Sequence, residues 1–260
     1  MNGSGQAWKV LGESLAGTSH VAAGLPCQDC WSALELRLAA ECYLILSCAD
    51  GAGSATHAQR GSEVCCTAFI DIVADQLEQG AKLSDFGRNR VLEIGRRVVR
   101  ALEREAEIAK VPLRELSCTL LGAVIGETSA LFAQVGDGAI VVRTQEGYRP
   151  VFWPQSGEYA STTYFVTGGD LERMLQCELI EERVEEVALF TDGLERLLLH
   201  FATRTAHRPF FEPTFRTLRN AESVDSLRAH FHSFLDSPAV NSRTDDDKTL
   251  LLALRHEASP

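Results

Sequence analysis

Apolar residues along the chain fall into two kinds of run. Short, nearly unbroken runs occupy residues 43–48, 119–125, 130–135, 140–143 and 187–191. Each is too short for a stable helix and is bounded by turn residues, so each predicts a strand. Residues 8–14 predict a first strand that runs into a polar loop at Gly17-Thr18-Ser19-His20, and residues 249–255 predict a last one. The second kind of run repeats at helical spacing. Val64, Cys65, Ala68, Phe69, Ile72, Val73 and Leu77 predict an amphipathic helix over residues 61–78. Val91, Leu92, Gly95, Val98, Val99, Leu102, Ala106 and Ala109 predict another, capped at Ser84-Asp85 and closed by Pro112. Weaker helical patterns cover residues 194–202 and 224–235. Residues 119–143, with a turn at Gly126-Glu127-Thr128-Ser129, predict a β-meander, while residues 145–185 carry little pattern.

Helices and strands therefore come in blocks instead of alternating. That order argues against a doubly wound parallel sheet and for an α+β fold of antiparallel sheets covered by helices. Residues 1–260 contain no internal repeat, low-complexity tract or long Pro/Gly/Ser linker, so one domain is expected. Composition adds one restriction. With a formal net charge of -11, the chain is unsuited to gripping nucleic acid, where phosphate neutralisation drives binding. The acidic excess fits a solvated surface or a carboxylate site for cations. Residues 1–7 are polar, without the basic start and apolar run of a secretion signal, and no segment approaches the roughly 18 apolar residues of a membrane span. A cytoplasmic location is expected, with the eight cysteines as reduced thiols. Cys27 and Cys30 form a Cys-x-x-Cys pair, but a second pair at zinc spacing is lacking, and cysteine as a small core residue is the simpler reading.

Three aspartates share one structural address. Asp50 follows the strand at 43–48 and precedes Gly51; Asp192 follows the strand at 187–191 and precedes Gly193; Asp246 stands just before the closing strand. Side chains at strand ends are held by the sheet and face its rim. If such positions converge, like charges meet, an arrangement that is costly unless cations neutralise it. Oxygen ligands of this hardness select Mg²⁺ or Mn²⁺ over zinc. Taken singly, Asp-Gly is an ordinary turn pair and Asp245-Asp246-Asp247 an ordinary solvated run.

Five segments in order give the joint pattern meaning: Ser19-His20 to Gln28-Asp29; Ala49-Asp50-Gly51-Ala52-Gly53-Ser54; Ser117-Cys118-Thr119-Leu120 with Val135-Gly136-Asp137-Gly138; Leu189-Phe190-Thr191-Asp192-Gly193-Leu194; and Asp246-Asp247-Lys248-Thr249. Together they resemble the type-2C (PPM) metal-dependent protein phosphatases over residues 10–255. Residues 17–29 and the loop 153–163 look most like a bacterial branch of that family. The resemblance implies a four-layer α-β-β-α sandwich and hydrolysis of phosphoserine or phosphothreonine esters by attack of a metal-bridging water. It implies that Asp50 bridges two Mn²⁺ or Mg²⁺ ions. Asp29 and the Gly51 carbonyl would complete one ion's shell, Asp192 and Asp246 would hold the other, and Asp137 would help hold a weaker third. A phosphorylated protein is the implied substrate, and a serine/threonine kinase a possible counterpart.

The chain departs from that pattern at three places. Gly24 stands where many members carry a phosphate-clamping arginine, leaving His20 or Arg60 as substitutes. Ala52 stands where some have a histidine that protonates the leaving group, so water, His20 or His57 would serve. Arg196 replaces an aspartate that shares the third ion, and arginine cannot ligate a cation. Two tightly held ions are expected, with an Arg196–Asp137 pair as one way to fill the third position. Two other readings stay open: a regulatory module of the same fold that binds phosphoproteins, and a phosphatase of small-molecule esters.

Overall fold

The unbroken apolar runs are strands covered on both faces. In the computed structural model, which describes residues 7–39, 41–155 and 163–256, twelve strands form two five-stranded antiparallel sheets and a small hairpin. The strands are β1 (Ala7–Leu15), β2 (Cys30–Arg37), β3 (Cys42–Ala49), β4 (Leu120–Ile125), β5 (Ala130–Val135) and β6 (Ala139–Thr144). They continue as β7 (Gly147–Pro150), β8 (Gln176–Ile180), β9 (Glu186–Phe190), β10 (Leu199–His200), β11 (Thr205–Ala206) and β12 (Lys248–His256). One sheet runs β2-β3-β4-β5-β8, the other β1-β12-β9-β6-β7, and β10 pairs with β11.

Alternation along each strand sends side chains into two separate cores. Leu44, Leu46 and Cys48 of β3 point into the space between the sheets with Phe132, Leu189 and Leu251. Tyr43, Ile45 and Ala49 of the same strand point outward against helices α2 (Ala58–Glu78) and α3 (Arg88–Ala109). On the far side, Leu250, Leu252 and Leu254 of β12 meet Phe211 and Phe215 of α6 (Arg208–Asn220) and Phe231 and Leu235 of α7 (Asp225–Leu235). Because both faces are buried, these strands show no polar alternation, which is why they read as continuous apolar runs. The layers are helices, sheet, sheet, helices, as the resemblance implied. Four short helices, α1 (Thr18–Ala23), α4 (Leu171–Met174), α5 (Glu195–Leu198) and α8 (Pro238–Asn241), complete the described chain.

Several expected elements differ. β5 and β6 do not extend a meander: β5 belongs to one sheet and β6 to the other. The crossing is made at Gly136-Asp137-Gly138, whose two glycines have φ of 94° and 80°, in the left-handed region that side chains rarely adopt. The polar loop at residues 17–20 turns into α1. The helix expected to end at residue 202 stops at Leu198, where β10 begins. The second long helix is capped by Gly87, while Asp85 instead accepts a hydrogen bond from Lys82 N, 2.9 Å, in the turn before it. Among the described residues no helix is long and apolar enough to cross a membrane. The polar residues 1–6 and most of the 153–163 loop lie outside the described residues.

Candidate metal centre

Each predicted carboxylate sits where a strand stops. Asp50 directly follows β3, and its backbone is fixed twice by Thr119, which donates N–H to the Asp50 carbonyl at 2.8 Å while its Oγ1 accepts from Asp50 N at 2.9 Å. Asp29 precedes β2 and Asp192 follows β9, so the two come from opposite sheets. Thr191 ties them together: its hydroxyl donates to Asp29 Oδ2 at 2.7 Å and accepts from Thr249 N at 3.0 Å. Asp137 lies in the turn that crosses between the sheets, with Oδ2 accepting from the Thr163 hydroxyl. Gly51 must be glycine, because a Cβ there would lie 2.6 Å from the Ala58 carbonyl oxygen and 2.8 Å from that of Gln28.

Three of these side chains converge. Carboxylate oxygens of Asp50, Asp137 and Asp192 lie within 4.8 Å of one another. Asp29 Oδ1 and Asp137 Oδ1 are buried without a hydrogen-bond partner. Burial, then the charges of Asp29, Asp192 and Asp137, holds the Asp50 carboxyl well above the usual carboxylate range. Asp192 is raised by burial and by Asp137 and Asp246, and Asp29 by burial, against the Thr191 hydrogen bond that opposes the rise. A cluster of buried carboxylates that repel one another, with oxygens left unpartnered, fits a divalent cation with oxygen ligands. The residues present therefore match the Mg²⁺ or Mn²⁺ that the resemblance implied. Asp246 is exposed and stands at the edge of the group, lining a cavity of about 590 Å³ together with Asp137 and Asp192.

Two residues given no role in the sequence reading help build the site. Glu195, on α5, accepts from Gly138 N at 2.7 Å and so pins the crossing turn; burial, above all, pushes its carboxyl up to about 7. Asp247 is only 2% exposed and accepts from Gly17 N at 2.7 Å and Gln28 N at 2.6 Å. It thus fastens the segment carrying Asp29 to the start of β12.

Both suggested phosphate clamps have carboxylate neighbours. His20 Nδ1 lies 2.8 Å from Asp247 Oδ1, without the alignment of a good hydrogen bond. Arg60 is engaged by Glu105 of α3 at 2.8 and 3.1 Å and by Glu63. Asp137 is held by Thr163, and Arg196 makes no ion pair with it among the described residues. All eight cysteines are free. Cys66 donates to the Cys30 carbonyl at 3.4 Å and Cys65 to that of Thr119 at 3.6 Å, contacts that belong to core packing.

Comparison with known proteins agrees with this geometry. The family profile described as protein phosphatase 2C matches residues 16–236. Serine/threonine-protein phosphatase 3 of Escherichia coli (strain K12) is 38% identical over 255 residues, spanning 95% of this chain and 98% of that protein. Among solved structures, the catalytic domain of the serine/threonine protein phosphatase PstP in complex with two manganese ions superposes with a TM-score of 0.60 at 16% identity, covering 97% of this chain and 100% of that one. A bacterial serine phosphatase gives 0.63 at 13% identity, covering 98% and 100%. At those identities the two structures speak for the fold alone, whereas the profile match and the Escherichia coli relative speak for descent: the chain belongs to the protein phosphatase 2C family.

Proposed function

We propose that this chain is a metal-dependent protein phosphatase that hydrolyses phosphoserine and phosphothreonine esters, at a centre held by Asp29, Asp50, Asp192 and Asp246 with the Gly51 carbonyl. The observation that carries the reading is the convergence of Asp50, Asp137 and Asp192 within 4.8 Å, from both sheets, on a family scaffold. Divalent ions bound there supply an activated water and neutralise charge on the phosphoryl oxygens. The chain's own contribution is positional. Thr191 orients Asp29 and Thr119 fixes the Asp50 backbone. Asp247 anchors Gln28 beside Asp29. The adjoining cavity, at about 590 Å³, is large enough for a phosphorylated side chain with neighbouring residues. Asp137, which converges with Asp50 and Asp192, would serve a third ion, held weakly because Arg196 stands where the family carries a second ligand to it. Mn²⁺ or Mg²⁺ both suit the donor set. A phosphoprotein made by a serine/threonine kinase in the same compartment, here taken as the cytoplasm, is the substrate that this reading calls for. Turnover of phosphoserine and phosphothreonine peptides with Mn²⁺, set against excess chelator and against small phosphate esters, tests it. Peptide turnover that is indifferent to chelation, or efficient only on small esters, contradicts it.

A further inference from the structure

Nearly every arginine of this acidic chain is taken up by a carboxylate or a carbonyl. The side chains of Arg196, Arg216 and Arg243 make no hydrogen bond or ion pair among the described residues, and that of Arg204 only stacks, its Cζ 5.4 Å from the Trp153 ring centroid. Three of these four gather at one place. Arg196 and Arg243 line the cavity together with Asp137, Asp192, Glu195, Asp245 and Asp246, and Arg204 stacks on Trp153, which lines it too. Unpaired guanidinium groups contribute little to folding, and their collection beside the carboxylates points to a ligand that carries negative charge.

The cavity's size says which part of a ligand they meet. At about 590 Å³ it far exceeds a phosphoryl group. Its apolar wall is made by Trp153 and Phe201, packed edge to face with ring centroids 5.2 Å apart. Arg196 follows Asp192 by four residues and Arg243 precedes Asp246 by three, and both line the cavity beside the carboxylates. We propose that Arg196 and Arg243, above the Trp153–Phe201 wall, form a specificity subsite that selects phosphopeptides with an acidic side chain next to the phosphorylated residue. The inference rests on the phosphatase reading above and names the substrate class of that site. It also gives Arg196 a use: the position has exchanged a cation ligand for an anion receptor.

The test compares two phosphothreonine peptides, one with Asp and Glu beside the phosphorylated residue and one with Ala there, at saturating Mn²⁺. For the unaltered chain, kcat/KM should favour the acidic peptide by about tenfold, as two partly exposed charge pairs support. The preference should shrink with added salt. In Arg196→Gln/Arg243→Gln the ratio should fall to within about twofold of one. A ratio unchanged by the double substitution overturns the subsite. So does an equal loss for both peptides, which would place the arginines on the reacting phosphate. Chelator-sensitive turnover of the alanine peptide by the unaltered chain reports separately on the phosphatase reading. Binding of the same two sequences carrying a non-hydrolysable phosphonate, measured by titration calorimetry, tests the subsite without turnover. Equal affinity for the two phosphonates in the unaltered chain also overturns it.

Discussion

Asp246 and Asp247 are chain neighbours with opposite expected responses to truncation. Asp247 is buried and accepts two backbone N–H groups, from Gly17 and Gln28, at 2.7 and 2.6 Å. Asp247→Ala leaves both donors without an acceptor. Stranding a buried donor costs roughly 1–3 kcal/mol, so the pair sums to about 4 kcal/mol, less whatever water can restore. In a chain of this size 1 kcal/mol corresponds to about 2–4 °C, so the melting temperature should drop by roughly 8–16 °C. Asp246 is exposed and adds to the repulsion on Asp192 and Asp137. Asp246→Ala should therefore leave the chelated protein as stable as before, or slightly more so, and remove much of the stabilisation that Mn²⁺ confers. Calorimetric melts of both variants, each in chelator and in saturating Mn²⁺, separate the roles. A shift below about 2 °C for chelated Asp247→Ala, or an equal loss for chelated Asp246→Ala, would refute the division of labour.

Further outcomes follow from the same site. Asp50→Asn and Asp192→Asn should each lower turnover at least about a hundredfold, as expected when charge stabilisation held by bound ions is lost; near-normal rates in both folded variants contradict the assignment. The Cys27→Ser/Cys30→Ser variant should keep most activity with Mn²⁺, since no step uses a thiolate; loss of turnover with folding and metal binding intact would reject this. Carboxyls whose folded-state pKa lies above its unfolded value stabilise fully below the unfolded pKa and lose that contribution as pH rises through the folded one. Asp29, Asp50 and Asp192 are raised in this way, and Glu195 to about 7, so the chelated protein should melt progressively lower from about pH 5 to pH 8. Mn²⁺ at a hundred times its Kd should return about 2.7 kcal/mol, with a larger gain at the alkaline end; a flat profile in chelator would count against the cluster.

Much of the architecture was legible because double burial gives strands an unmistakable texture. β3, β4, β5, β9 and β12 were all found as apolar runs. β2 was not, because Cys30 to Arg37 are mostly half-buried and mix Trp31, Ser32, Glu35 and Arg37. α6 escaped because Pro209 and Pro213 mimic a loop, although the first falls in the opening turn and the second is accommodated inside the helix. The transfer of β6 to the second sheet depends on Gly136 and Gly138, whose conformation local pattern does not declare. At the site, the aspartates were found through strand ends and motif order. Asp247 and Glu195 were missed for a common reason: their partners are backbone amides of Gly17, Gln28 and Gly138, and a sequence does not show where an amide points.

The origin of the proposed ligands on two separate sheets makes the sandwich a caliper. Asp29 and Asp50 ride on one jaw, Asp192 and Asp246 on the other, and the jaws are spaced by Leu46, Phe132, Leu189 and Leu251. Side chains far from any phosphate thereby set the distance an ion has to span. A methylene gained or lost in that filling moves one set of ligands against the other, and close-packed interiors pass such changes on without absorbing them. Ion preference in such a scaffold can drift through its greasy middle while every acidic residue stays in place. An ion bound across the gap resists, in turn, the sliding of one sheet over the other.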